Sequence, residues 1–382
     1  MMIDPKEFIA SLEKLDIRFV TGVPDSLLKN VCACITAHFP PARHVIATNE
    51  GSAVGLAIGQ YLATGRPALI YMQNAGLGNV VNPVTSLADP QVYGIPMILM
   101  IGWRGEILED GTQLRDEPQH VKQGCVTLRQ LDILNIPYRI VDGGVAKVEP
   151  ILGELIRLAI SRSGPVALVV RKQTFSPFKL VQGDRDEYAL TREAAIAAII
   201  AAIPEYVPIV STTGMASREL FELRNASNQG HYRDFLTVGG MGHAGQIAAG
   251  MAMSMPHRQI ACIDGDGAVL MHMGGLAISA TCANLLHIVI NNGAHDSVGG
   301  QPTKGAILDF TKIAKTLGYG RVARAITTKE IITALSSMLG SSLSSFLEIK
   351  CKQGARADLG RPDRTPAQNK IDLMQFLGGF HE

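Results

Sequence analysis

Asp266, in the run Asp264-Gly265-Asp266-Gly267, and Asn292, in Ile290-Asn291-Asn292-Gly293, have the residue types and the spacing to share one task. A carboxylate, an amide oxygen and a nearby main-chain carbonyl are hard oxygen donors of the kind Mg²⁺ takes, and that ion usually keeps water and phosphate oxygens in its shell. The residues between them read as a strand over 259–263, a glycine turn, a helix over about 269–283 and a strand over 287–290. In such a βαβ unit the crossover makes the strands parallel, so both polar ends emerge at one edge of the sheet, where open α/β folds collect ligands. The chemistry expected there is a divalent cation that bridges the protein to a diphosphate.

Glu50 closes the strand-like run Val45-Ile46-Ala47-Thr48 and opens a helix of small residues. It can be a helix N-terminal acid favoured by the dipole. It can also be a carboxyl whose neutral form is favoured by desolvation, suited to proton exchange with a buried base. Gly240, Gly242 and Gly245 match GxGxxG literally, the fingerprint of nicotinamide dinucleotide sites, but the match lies late in the chain and the acid that follows is the one in the metal turn. Asp25 and His120 are expected in loops, Asp25 as a helix N-cap after Pro24 or as a proton-transfer group, His120 as a solvated or a catalytic histidine. His295 and Asp296 follow the metal turn closely enough to line the same pocket or to be simple turn residues.

To position these groups the chain needs alternating elements, and it has them. Helix-like segments over 5–15, after Pro24, and over 51–64 alternate with strand-like segments over 19–21, 44–48, 68–72, 97–101 and 166–171. A second series runs through a helix over 191–203, a strand over 208–211, a helical region over 239–253, the metal-site βαβ unit, a helix near 309–317 and a strand over 345–351. The alternation predicts α/β architecture with two doubly wound, mainly parallel sheets and no central third domain. The expected boundaries are 1–175, a polar linker over 176–189, and 190–382.

The bulk composition narrows the partners. With 35 basic and 34 acidic residues among 382, nothing draws the chain as a whole to nucleic acid or to an anionic membrane. The uncharged stretch from Ile260 to Thr303 is broken by Asp264, Asp266, Asn284, Asn291, Asn292 and Asp296 and fails as a membrane span. The first residues carry acids too early for a signal or transit peptide, which predicts a cytoplasmic protein. Six cysteines without a CxxC pair read as reduced core thiols.

The Asp266 and Asn292 pair, strand-end Glu50 and the Gly239-Gly240-Met241-Gly242 turn together resemble the thiamine-diphosphate-dependent decarboxylases. The runs Gly22-Val23-Pro24-Asp25-Ser26, Thr212-Thr213-Gly214 with Arg218-Glu219-Leu220, and Asn292 through Thr303 extend that resemblance along nearly the whole chain. It implies a pyrimidine-binding domain followed by a diphosphate-binding domain, with thiamine diphosphate held between domains of two subunits, so that a homodimer is the minimal unit. It also implies that Asp266, Asn292 and the carbonyl of Ala294 bind Mg²⁺, and that Thr213, Gly214, Gly267 and Ala268 lie along the diphosphate. The Gly239 carbonyl would accept from the cofactor's amino group, Met241 would wedge beneath it, and Glu50 would share a proton with its pyrimidine ring. Catalytic roles on the substrate side fall to Asp25, His120 and His295. The substrate implied is a small 2-oxo acid with an anionic tail, phosphonopyruvate first and sulfopyruvate second, because sulfopyruvate enzymes often carry the two domains on separate chains. Arg104, Lys304, Arg356 and Arg361 are candidate cations for that tail, each equally readable as a surface charge.

Overall fold

The computed structural model describes residues 2–145, 147–180 and 187–378. The chain divides into two compact units, Met1–Gln182 and Gly183–Glu382. Of the expected linker, residues 181–186 lie outside the described residues.

In the first unit the strands β1 (Val20–Gly22), β2 (His44–Ile46), β3 (Ala68–Gln73), β4 (Met97–Gly102), β5 (Tyr138–Val141) and β6 (Pro165–Val170) form one sheet in the order β2-β1-β3-β4-β6-β5. Every pairing is parallel. Helices α1 (Pro5–Lys14), α2 (Lys29–His38), α3 (Glu50–Thr64), α4 (Leu77–Pro83), α5 (Pro118–Ile133) and α6 (Glu149–Arg162) supply the connections. Strand β4 shows why its sequence is apolar throughout: Ile98 and Met100 enter the core on one face, while Met97, Leu99 and Ile101 enter the core on the other. A parallel sheet covered on both sides asks for that pattern.

The second unit repeats the plan with β7 (Ile209–Ser211), β8 (Asp234–Leu236), β9 (Ile260–Gly265), β10 (Leu285–Asn291), a short antiparallel pair β11 (Ala294–His295) and β12 (Gln301–Pro302), β13 (Arg321–Ala325) and β14 (Ser345–Lys350). The main sheet has the order β13-β14-β10-β9-β7-β8, all parallel. Its helices are α7 (Arg192–Ala202), α8 (Met215–Ala226), α9 (Ala244–Ser254), α10 (Asp266–Met271), α11 (Gly275–Ser279), α12 (Phe310–Thr316), α13 (Thr328–Met338) and α14 (Pro366–Leu377).

Three expectations need correction, and one strand is additional. The helix expected over 269–283 is two short helices, α10 and α11, because the chain turns at Gly274-Gly275, where Gln246 Nε2 donates to the Gly275 carbonyl at 2.8 Å. A Cβ on Gly275 would come within 2.7 Å of that amide nitrogen, so the close approach needs glycine. The helical region expected from 239 begins only at Ala244, since Gly240 (φ +66°) and Gly242 (φ +88°) hold the preceding turn in a left-handed conformation. The strand expected over 166–171 is β6, the last of its unit, and an additional strand, β5, lies outside it at the sheet edge. β5 escaped notice because its exposed centre, Arg139 and Ile140, lacks the apolar run of the inner strands. Finally, α5 puts His120 in a helix rather than a loop.

Among the described residues no helix is long and apolar enough to cross a membrane. The six cysteines are free thiols, with Cys125 exposed and the other five buried.

Candidate functional site

Because the strands of each sheet run parallel, the segments that follow them leave at one edge, and the expected site residues fall there. In the first unit Glu50 is the first residue of α3, after the cap Asn49, whose side chain accepts from the Ser52 N–H at 2.8 Å. Glu50 is thus a helix N-terminal acid, and it is buried, at 5% exposure. Its Oε2 accepts from Asn79 Nδ2 at 2.7 Å. The carboxyl lies against Gly76, where a Cβ would come within 2.6 Å of Oε1. Gly76→Ala is accordingly expected to destabilise the protein by about 1–3 kcal/mol through overpacking. Gly78→Ala, in α4, meets open space and should be neutral or slightly stabilising in thermal unfolding. Equal midpoints for the two variants would contradict this placement of Glu50.

Asp25 and His120 meet around Arg104. Asp25 is buried, and its Oδ2 accepts from the N–H groups of Leu27 and Leu28 at 3.1 and 3.2 Å, so α2 starts only at Lys29. Its Oδ1 accepts from Gln73 Nε2 at 2.7 Å, and the missing Cβ of Gly102 makes room for the carboxyl. Burial raises the Asp25 pKa, against the opposing pull of the Gln73 hydrogen bond and the Arg104 charge. Arg104 grips Asp116 with both arms of its guanidinium and donates to Ser26 Oγ at 2.7 Å. His120, third in α5, is buried with Nδ1 lacking a hydrogen-bond partner. Burial, then the Arg104 charge, pulls its pKa down to about 4, so the ring is neutral at neutral pH.

In the second unit four loops converge. Gly214, with φ +92°, caps α8 after β7, and a Cβ there would lie 3.6 Å from Ser297 Oγ. Met241 follows β8, and Gly267 follows β9 at the start of α10. A Cβ on Gly267 would meet His295 Cε1 at 3.0 Å and Met241 Cε at 3.4 Å, so these three expected residues are neighbours. Burial lowers the His295 pKa to about 4. Asp266 is buried at the N-terminus of α10 and accepts from Thr303 Oγ1, and the missing Cβ of Gly305 leaves space for its carboxyl. Asn292 Nδ2 donates to Asp296 Oδ2 at 2.6 Å, and its Oδ1 accepts from the Ala294 N–H at 3.2 Å. Segment 303–305 links the two halves of this set: Thr303 N–H donates to the Gly293 carbonyl at 2.9 Å while Gly305 packs on Asp266. Asn291, the other half of the asparagine pair, is structural, donating to the Gly305 carbonyl at 2.8 Å and to Glu348 Oε1 at 2.9 Å.

Comparison with known proteins adds two family models, the N-terminal TPP binding domain of thiamine pyrophosphate enzymes over residues 6–129 and their C-terminal TPP binding domain over residues 212–349. The chain is also 32% identical to a phosphonopyruvate decarboxylase of Streptomyces viridochromogenes, over 98% of this chain and 95% of that protein. It belongs to the thiamine pyrophosphate enzyme family. A phosphonopyruvate decarboxylase of Streptomyces hygroscopicus is 33% identical over 98% of this chain and 94% of that one. A sulfopyruvate decarboxylase of Methanosarcina acetivorans is 26% identical over 92% of each chain. That last match weakens one expected discriminator, since it runs along a single sulfopyruvate decarboxylase chain, although in Methanothermobacter thermautotrophicus the alpha and beta subunits of a sulfopyruvate decarboxylase match as separate chains.

The residues present fit the cofactor of this thiamine pyrophosphate enzyme family. Asp266 is a carboxylate buried with a hydroxyl as its side-chain partner, and desolvation pushes its pKa up to about 6. A divalent cation would favour the desolvated carboxylate in its charged form, and Asn292 Oδ1 and the Ala294 carbonyl are oxygen donors of the right chemistry. Gly267 has no room for a Cβ beside His295 and Met241, so the backbone there stays open to a bound group. The GxGxxG match has a structural cause at each glycine: Gly240 and Gly242 have positive φ, and a Cβ on Gly245 would come within 2.9 Å of His287 Cε1.

The candidate tail cations separate. Arg104 is no surface charge, being half-buried on Asp116. Arg356 is paired with Glu193, Glu222 and Asp358. Lys304 and Arg361 are exposed. Sequence reasoning missed Gln73, Asn79, Arg192 and Thr303, all of which hold site residues. Gln73 was within reach, as a polar residue directly ending an apolar strand; the others touch the site only through the fold.

Proposed function

We propose that this thiamine pyrophosphate enzyme decarboxylates phosphonopyruvate, taking up one proton to give phosphonoacetaldehyde and CO₂. The observation that carries the reading is similarity along nearly the full length of two phosphonopyruvate decarboxylases, at 32% and 33% identity, in a chain whose two sheet edges hold a buried Glu50 and a buried Asp266.

In this reading the first unit serves the pyrimidine end and the second the diphosphate end, with a second copy of the chain completing each site and a cytoplasmic setting. Asp266, Asn292 and the Ala294 carbonyl hold Mg²⁺, while Thr213, Gly214, Gly267 and Ala268 line the diphosphate. Gly214 opens α8, whose free N–H groups favour an anion. The Gly239 carbonyl accepts from the pyrimidine's amino group, and Met241 supports the two rings without competing for hydrogen bonds. When bound, the cofactor supplies a carbon nucleophile and a sink for the electron pair released with CO₂. Glu50, buried and held by Asn79, is the group that exchanges a proton with the pyrimidine ring. Asp25, with its raised pKa, is the proton donor on the substrate side. His120 and His295, neutral at neutral pH, act as hydrogen-bond partners or proton acceptors rather than as cations. Arg104, steadied by Asp116, is the cation beside Asp25 and His120.

The test is CO₂ release by purified protein with Mg²⁺ and thiamine diphosphate, offered phosphonopyruvate, sulfopyruvate and pyruvate in parallel. Fastest turnover is expected with phosphonopyruvate. The 26% match along 92% of a sulfopyruvate decarboxylase makes sulfopyruvate the second reading, and faster release from it would replace the first.

A further inference from the structure

We propose that Arg192 and Asp296 are positioning residues, a relay that fixes the side chain of Asn292 toward the cation and ties it to the turn at Gly214. The inference rests on the reading that Asn292 is a metal ligand.

One oxygen, Asp296 Oδ2, accepts from three donors: Arg192 Nη1 at 2.8 Å, Asn292 Nδ2 at 2.6 Å and the Gly354 N–H at 3.0 Å. A carboxylate only accepts, so the Asn292 amide must present its nitrogen to it. The other contact agrees, because Asn292 Oδ1 accepts from the Ala294 N–H. A flipped amide would set oxygen against carboxylate and NH₂ against N–H. The orientation is thus fixed from both sides, and one lone pair of Oδ1 is left for a ligand.

Arg192 is itself clamped. Glu219 receives its guanidinium through two bonds, Nε to Oε2 at 2.8 Å and Nη2 to Oε1 at 3.0 Å. Glu219 lies on α8, the helix that Gly214 opens, so the same arginine joins the diphosphate turn to the metal turn. The exposures of Arg192 and Glu219, 7% and 1%, make this a buried network, and its charges do not balance: one cation faces two carboxylates. A bound divalent ion beside it would offset the remaining negative charge. Breaking a buried charged network costs far more than losing a surface pair.

The test uses the full-length protein and follows thiamine diphosphate binding by calorimetry at increasing Mg²⁺. Outer partners of metal ligands typically contribute about 10–100-fold in metal affinity. Asp296→Ala is expected to raise the half-saturating Mg²⁺ concentration by an amount in that range. Asp296→Asn, which keeps an acceptor for the Asn292 amide, should recover part of the loss, a rescue that a purely structural role would not give. If Asp296→Ala does not fold, Arg192→Gln reads the same quantity and should raise it by about tenfold. A folded variant of either residue with the wild-type Mg²⁺ requirement overturns the relay. Absence of Mg²⁺-dependent cofactor binding in the wild type overturns instead the reading of the site on which it rests.

Discussion

Glu50→Gln is expected to bind thiamine diphosphate within a few-fold of wild type while the C2 proton of the bound cofactor exchanges with solvent about 10²–10⁴ times more slowly, the range typical of losing a positioned acid–base group. The substitution keeps the shape of a side chain that fits against Gly76, and the new amide can still offer an oxygen to Asn79 Nδ2. What it removes is the exchangeable proton. Because Glu50 is buried at the start of α3, bulk water is poorly placed to replace it. Acid-quenched deuterium exchange read by NMR separates the two effects. Unchanged exchange at full cofactor occupancy would take Glu50 out of the mechanism.

Asp266→Ala should act at the other end of the cofactor. It deletes the one carboxylate of the proposed ligand set and leaves an amide oxygen and a main-chain carbonyl, both neutral, to hold a divalent ion. The loss in Mg²⁺-dependent cofactor retention is expected to exceed the roughly 10–100-fold associated with outer partners of a metal ligand. The apo protein, by contrast, should not be weakened in proportion, since the wild-type carboxylate is buried against a hydroxyl with its pKa pushed up to about 6, an environment that disfavours its charge. Desalting in the presence of Mg²⁺ followed by assay of retained thiamine diphosphate measures the first effect, and thermal unfolding without metal measures the second. Wild-type retention would remove Asp266 from the metal site. The contrast with Glu50→Gln is informative in itself, since one variant should keep the cofactor and lose proton exchange while the other loses the cofactor.

How far each feature could be read from the residues depended on whether its cause was local. The two parallel sheets were legible because inner strands such as β4 are apolar on both faces and polar or glycine residues punctuate their ends. Asp266, Asn292 and Glu50 were placed for the same reason: Asp266 and Asn292 directly follow apolar strands, Glu50 lies four residues past the end of β2, and a parallel sheet sends all such ends to one edge. Local pattern failed where a contact distant in sequence decided the outcome. Gln246 and the glycine pair at 274–275 split one expected helix into α10 and α11, and α5 lifted His120 out of solvent into a buried position beside Arg104.

The amino-acid order alone therefore determined the fold class and the donor chemistry of the candidate site, since both follow from periodicity and from residue types carried within short runs. Only the folded chain decided which polar groups hold the candidate residues in place. Gln73 on Asp25, Asn79 on Glu50, Thr303 on Asp266 and Arg192 on Asp296 are separated from their partners by 29 to 104 positions. No short-range pattern records such pairs, because burial of at least one member of each, and not their spacing, demands the hydrogen bond.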